Sequence, residues 1–171
     1  MPIDQITSAS LASGVPTRAQ LPSGSVLQVQ VLQWSTQSKR DGTFHDYIDA
    51  PGSSLAITTS VPNSRILVQI QVQIYSGSAG VSANIGLRRG STRLAGIDGT
   101  GTGNSWAGHG NGYQGSQRMA LDFLDSPNVA AGTTLTYVVM HGHWSGGTTW
   151  FNYSESTYTN FSTITLMEIA A

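Results

Sequence analysis

Residues Arg65–Tyr75 read R-I-L-V-Q-I-Q-V-Q-I-Y, with Ile66, Val68, Ile70, Val72 and Ile74 at every second position. A period of two is the signature of a β-strand, because successive side chains leave the backbone on opposite sides. The five β-branched residues form one apolar face, and Leu67, Gln69, Gln71, Gln73 and Tyr75 form the other. Glutamine is poor filling for a dry core, yet a solvated face usually carries more charge. This row of amides therefore points to a wet contact between subunits.

The same pattern occurs once before. From Ser25 the chain alternates Leu27, Val29 and Val31 against Val26, Gln28, Gln30, Leu32 and Trp34. Taken together, Gln28, Gln30, Gln69, Gln71 and Gln73 are expected on a polar sheet face at a contact between subunits or with another protein. There amides can bond across chains without the desolvation cost of charges.

The rest of the chain continues in strand grammar. Short strands are expected around Phe44–Asp49 and Ser54–Thr59, with Pro51–Gly52 and Pro62–Asn63 as turns. Val81, Ala83, Ile85 and Leu87 alternate with polar or small neighbours up to a tight connection at Arg89–Gly90–Ser91. Further strands are expected at Met119–Phe123, Thr134–Trp144 and Phe161–Ile169, and no stretch has the 3.6 period of an amphipathic helix. Gly96–Gly115 is too rich in glycine for a regular element and reads as a large insertion. Eight or so short strands separated by frequent turns predict an all-β sandwich or jelly roll over residues 25–171. Residues 1–24 hold three prolines and little periodicity, and read as an arm outside that core. Its apolar beads Ile3, Ile6, Leu11, Val15 and Leu21 are ones a merely solvated tail would not need.

Composition narrows the function. The 171 residues contain no cysteine, so disulfides and thiolate metal sites are excluded. Net charge is −1 and only 10% of residues are charged, which offers no electrostatic footprint for nucleic acid or an anionic membrane. No apolar run approaches membrane-spanning length, and M-P-I-D-Q-I-T-S-A-S lacks the basic start and apolar core of a secretory signal, so assembly without export is expected.

Reactive constellations are sparse. His141 and His143 share a strand face at a spacing that suits zinc, but no third ligand accompanies them, and His45 and His109 are remote. Asp98 in D-G-T-G-T-G-N supplies one oxygen where calcium needs six or more. Gly110–Gly115 matches G-x-G-x-x-G without the strand and helix that a dinucleotide requires. Asp46 and Asp49, like Asp122 and Asp125, are three apart in strands and so point to opposite faces, which weakens either as an acid–base pair. No metal, cofactor or catalytic residue is expected. Aromatic residues in the connections are the stronger signal: Trp106 and Tyr113 in the insertion, and Trp144, Trp150, Phe151, Tyr153 and Tyr158 before the last strand. Flat rings among Ser, Thr, Asn and Gly suit contact with a glycan or another protein, or else close the ends of the core.

Several phrases occur in one order: D-Q-I-T-S-A-S-L with L-P-S-G-S-V-L-Q-V at 21–29, S-R-I-L-V at 64–68, L-R-R-G-S-T at 87–92, L-D-S-P at 124–127 and S-T-I-T-L-M-E-I-A at 162–170. In this order the chain resembles a group of small virion structural proteins of tailed bacteriophages, similar to the trimeric jelly rolls of fibre tips and capsid decoration proteins. The resemblance spans nearly the whole chain except the insertion at 96–115. It implies a non-enzymatic homotrimer on a phage particle, assembled in the host cytoplasm, with Gln28, Gln30, Gln69, Gln71 and Gln73 at the trimer axis or the capsid contact. Size favours a decoration, or cement, protein on the capsid surface, with residues 1–24 attaching to the major capsid protein, because one domain and an arm leave no long shaft. The alternative is a fibre or spike tip gripping a host glycan through Trp106, Tyr113, Trp144, Trp150 and Tyr153.

Overall fold

The computed structural model describes residues 21–41, 47–77, 81, 83–96, 115–143, 147–154 and 159–171. Among them are ten strands and no helix: β1 (Val26–Trp34), β2 (Ser38–Asp41), β3 (Tyr47–Thr58), β4 (Arg65–Ser76), β5 (Ala83–Arg89), β6 (Thr92–Ala95), β7 (Gly115–Asp125), β8 (Thr134–His143), β9 (Thr148–Phe151) and β10 (Ser162–Ile169). The chain is an all-β protein of two antiparallel sheets.

β4, the strand read first from the sequence, is the hub of the larger sheet. β7 pairs along it from Ile66 to Ser76. Its other edge is shared, with β10 opposite Arg65–Gln71 and β9 opposite Ile74–Ser76. Beyond these, β1 pairs β10 and β2 pairs β9, which completes six strands. The second sheet has the order β3-β8-β5-β6. With the short β2 and β9 set aside, the orders β1-β10-β4-β7 and β3-β8-β5-β6 make the chain cross between sheets at every step except β5–β6. That interleaving of two Greek keys is a jelly roll.

The five alternating residues of β4 are at most 1% exposed and face Ile57, Ile85, Leu87, Tyr137 and Val139 of the other sheet in one core, joined by Ile164 and Leu166. Full burial of each such aliphatic chain contributes about 1.5–3 kcal/mol, so β4 alone carries a large share of the stabilisation. Two expectations change. The Pro51–Gly52 turn is an irregularity inside one strand: pairing of β3 with β8 shifts between Asp49 and Ser54, and Gly52 takes a positive φ of 77° there. A bulge absorbs the proline because its missing N–H is not needed where pairing is interrupted. The connections Ser35–Thr43 and Trp144–Phe161 also contain β2 and β9, four residues each, too short to show a period.

Candidate functional site

Because Ile66, Val68 and Ile70 point into the core, Leu67, Gln69 and Gln71 point out of the sandwich. Residues directly opposite in neighbouring strands share a face, so the register gives the outer surface of the six-stranded sheet row by row. The first row is Val29–Met167–Leu67–Leu124, an unbroken apolar line across β1, β10, β4 and β7. The second is Val31–Thr165–Gln69–Asp122 and the third Gln33–Thr163–Gln71–Ala120. Val29 (48%), Val31 (63%) and Leu124 (49%) stand open to water, as does Val26 (52%) at the start of β1.

Between the second and third rows lies a shallow polar groove, lined by Gln69, Gln71, Ala120, Asp122, Thr163 and Thr165. Gln69 Nε2 donates to Asp122 Oδ1 at 3.2 Å across β4 and β7. Further along β4 the surface becomes aromatic: Tyr75 stacks on Tyr153 (centroids 4.3 Å) and meets Trp150 edge-on at 5.3 Å. Lys39 Nζ sits 5.9 Å from the Trp150 ring and forms an ion pair with Asp41 at 2.8 Å. The outer surface thus grades from aliphatic through amide to aromatic, with Arg118 over Phe161 at its margin.

The buried ionisable groups His141, Tyr137, Asp125 and Glu168 are already hydrogen-bonded. His141, fully buried, bridges the sheets through Nδ1 to Ser38 Oγ (3.1 Å) and Nε2 to Thr149 Oγ1 (3.0 Å), and stacks on Phe151. Tyr137 donates its hydroxyl to Asp125 at 2.7 Å, and Arg89 pairs with the same carboxylate. Burial, reinforced by that hydrogen bond, pushes the Tyr137 hydroxyl far above its ordinary pKa. Glu168 accepts from Ser60 N (2.7 Å), Ser60 Oγ (2.7 Å), Val61 N (3.3 Å) and Gln28 Nε2 (2.6 Å). Burial alone would raise the Glu168 pKa, but these hydrogen bonds prevail and hold it below the usual value. Each of these groups is tied to a second element, which is a structural use.

The sequence-derived residues divide accordingly. Gln69 and Gln71 come together on the outer face, whereas Gln73, in the same row of β4, is buried with its Nε2 turned to Ile74 O (3.2 Å). Gln28 and Gln30 leave β1 on the opposite side, as their partners Glu168 and Leu166 do, so the five glutamines do not form one face. Alternation within a strand assigns two faces but not which of them meets the neighbour's face. Trp150 and Tyr153 cluster, with Tyr75 as a third member that a strand reading had taken only as part of β4. Leu21 is half-buried, while Ile3, Ile6, Leu11, Val15, Asp98, Trp106, Tyr113 and Trp144 lie outside the described residues. Asp122 is exposed and Asp125 buried, on opposite faces as their spacing implies. The described residues hold no group of three metal-ligating side chains. Asn152, the first residue of N-Y-S, is 1% exposed with its amide donating to Trp34 O and Thr36 O, so it is closed to modification in the folded chain.

The architecture defines an all-β jelly-roll sandwich. No family model matches the sequence, and no curated protein matches it either. Among solved structures, a chain of the infectious bursal disease virus Gt strain is similar at 12% identity and TM-score 0.46, over 86% of this chain and 39% of that one. A chain of the Gx strain aligns at 13% identity and TM-score 0.41 over the same shares, and dimeric latent PorU from Porphyromonas gingivalis at 10%, TM-score 0.37, over 91% of this chain and 14% of that one. The chain therefore spans well under half the length of these structures.

Proposed function

We propose that the chain is a non-enzymatic virion structural protein: a capsid decoration protein of a tailed bacteriophage that binds the major capsid protein lattice as a homotrimer. The observation that carries this reading is the way the arm's root is built into the fold. Gly24 N donates to Ala170 O (2.9 Å) and Ala170 N to Ser25 O (2.9 Å), so the first described residues are clamped to the end of β10. From there β1 runs antiparallel to β10 from Val26 to Trp34. An arm bound across capsomer seams would deliver its load directly into a jelly roll whose interior is rigid and closed. The ordered phrases in which the sequence resembles phage virion proteins support the same reading.

Deleting residues 1–24 is expected to abolish binding to capsids lacking the protein while leaving its oligomer intact. A truncated chain that still decorates capsids, counted by electron microscopy, would rule the reading out. The Tyr75–Trp150–Tyr153 cluster favours a second reading, a fibre tip that grips a host glycan through stacked rings. Its mark is saturable glycan binding that Trp150→Ala removes, with a few copies per particle in place of hundreds.

A further inference from the structure

We infer that the outer face of the six-stranded sheet, from the Val29–Met167–Leu67–Leu124 row to the Gln33–Thr163–Gln71–Ala120 row, is where a second copy of this chain docks. The inference rests on the homo-oligomer in the function proposed above and gives it a surface. An aliphatic line four strands wide, with both end residues about half exposed, is costly to leave in water. Its edge strand is a further liability. β1, V-L-Q-V-Q-V-L-Q-W, has nine residues and no charge, and among the described strands it pairs with β10 alone. Edge strands that must stay free are usually guarded by lysine, proline or a bulge that turns them away. β1 has no lysine or proline, and its one register shift falls at its start, between Val26 and Gln28.

The chemistry of the rows selects the occupant. Near a rotation axis a residue meets its own copies, so any charge there meets a like charge. The three rows of four positions carry one ionisable group, Asp122, and that carboxylate already accepts a hydrogen bond from Gln69. The other positions are aliphatic side chains, amides and hydroxyls; the last two both donate and accept, so they can pair with themselves. The core of any interface is poor in charge, but polar groups that both donate and accept are ones that a second copy matches residue for residue. The other sheet supplies the contrast, because its outer surface is roofed by its own Tyr47 and by the Arg88–Asp49 pair.

The test is the solution mass of the full chain and of the double variant Val29→Asp/Leu124→Asp, measured by analytical ultracentrifugation through the micromolar range. Both positions are exposed, so the fold should persist, and circular dichroism checks this; Val29→Thr/Leu124→Ser serves if the charged pair does not fold. The wild type should be an oligomer, and the double variant should shift to monomer with association weakened by roughly a hundredfold or more. Ala56→Asp, on the outer face of the other sheet, should leave the mass unchanged. A monomeric wild type, an unchanged mass for the folded double variant, or equal dissociation by Ala56→Asp would each overturn the inference. Particle binding is read separately. Capsid decoration by a chain whose oligomer ignores the double variant would sink the docking face and spare the virion function. An oligomer that dissociates as expected but never binds capsids would do the reverse.

Discussion

The two sheets present outer faces built from the same alternation, and they end in different conditions. On the four-stranded sheet, Tyr47 lies flat over backbone that only glycine permits: a Cβ on Gly142 would sit 2.4 Å from the ring and one on Gly86 2.7 Å. Arg93 lies above the same ring at 5.4 Å, Met140 packs beside it, and Arg88 and Asp49 form a charged pair alongside. Tyr47 is left 6% exposed, and Val138 and Met140, which point outward, are as well hidden. On the six-stranded sheet Trp150 lies over Gly77 at one end, but no described residue covers the rows from Val29 to Gln71, and Val29, Val31 and Leu124 stay open. One face is closed by its own chain, and among the described residues nothing closes the other. The difference teaches that burial of an outward-facing residue depends on what crosses it, since both faces obey the same period.

The sharpest way to break this comparison is to unseat the lid. Gly142→Ala should push Tyr47 off its floor and cost about 3 kcal/mol by overpacking, seen as a lower midpoint in chemical denaturation. Ala120→Val, in the third row of the open face, should change stability by less than about 0.5 kcal/mol. Equal costs would mean that the two faces are not differently packed.

Next in size is the carboxylate that ties β1, the edge of the open face, to the β3–β4 connection. Glu168→Gln should cost about 2 kcal/mol, because an amide places a donor where Ser60, Val61 and Gln28 all donate. The sign of its pH dependence follows from its lowered pKa. Below the ordinary value of 4.5 an unfolded Glu168 takes up a proton while the folded one resists, so its contribution is present above that pH and is lost as pH falls through the folded value. Wild-type melting temperature should therefore drop more steeply from about pH 5 downward than that of Glu168→Gln.

Arg88→Ala, which removes one wall of the closed face, should cost about 1 kcal/mol or less, since Asp49 keeps a side-chain exposure of 48%. The hydrogen bond from Arg88 holds Asp49 below its ordinary 3.8, so whatever the pair contributes is present above that pH and is lost as pH falls through the lower folded value. The smallest effect on the folded monomer is expected from Leu124→Ser, within about 0.5 kcal/mol in thermal melts, because a half-exposed residue leaves little burial to lose.

Much of the fold was legible. The alternation of Ile66, Val68, Ile70, Val72 and Ile74 located β4 and its buried face, and the hairpin at Arg89–Ser91 joins β5 to β6 as its turn residues imply. The candidate site was legible only in pieces. Gln69 and Gln71 stand out in the sequence, but Asp122, Thr163 and Thr165, which complete their groove, lie 51 to 96 residues away and carry no local signal. The row Val29–Met167–Leu67–Leu124 is likewise invisible in one dimension, because it takes a single residue from each of four strands. Tyr47 over Gly142 and Gly86 belongs to the same class, since nothing local announces that two glycines are a floor for a distant ring.

By itself the sequence determined the class of the protein: all β, one core, strands of period two, and an interior free of cysteine and poor in charge. These follow from local chemistry, in which each side chain's polarity and branching favour a face and a backbone conformation whatever its neighbours are. Only the tertiary structure decided that β10 and β9 share one edge of β4, that Gln28 and Gln69 leave the sheet on opposite sides, and that one outer surface is roofed while the other stays open. Those outcomes depend on strand register across long separations in the chain, and register is set by how whole faces pack together.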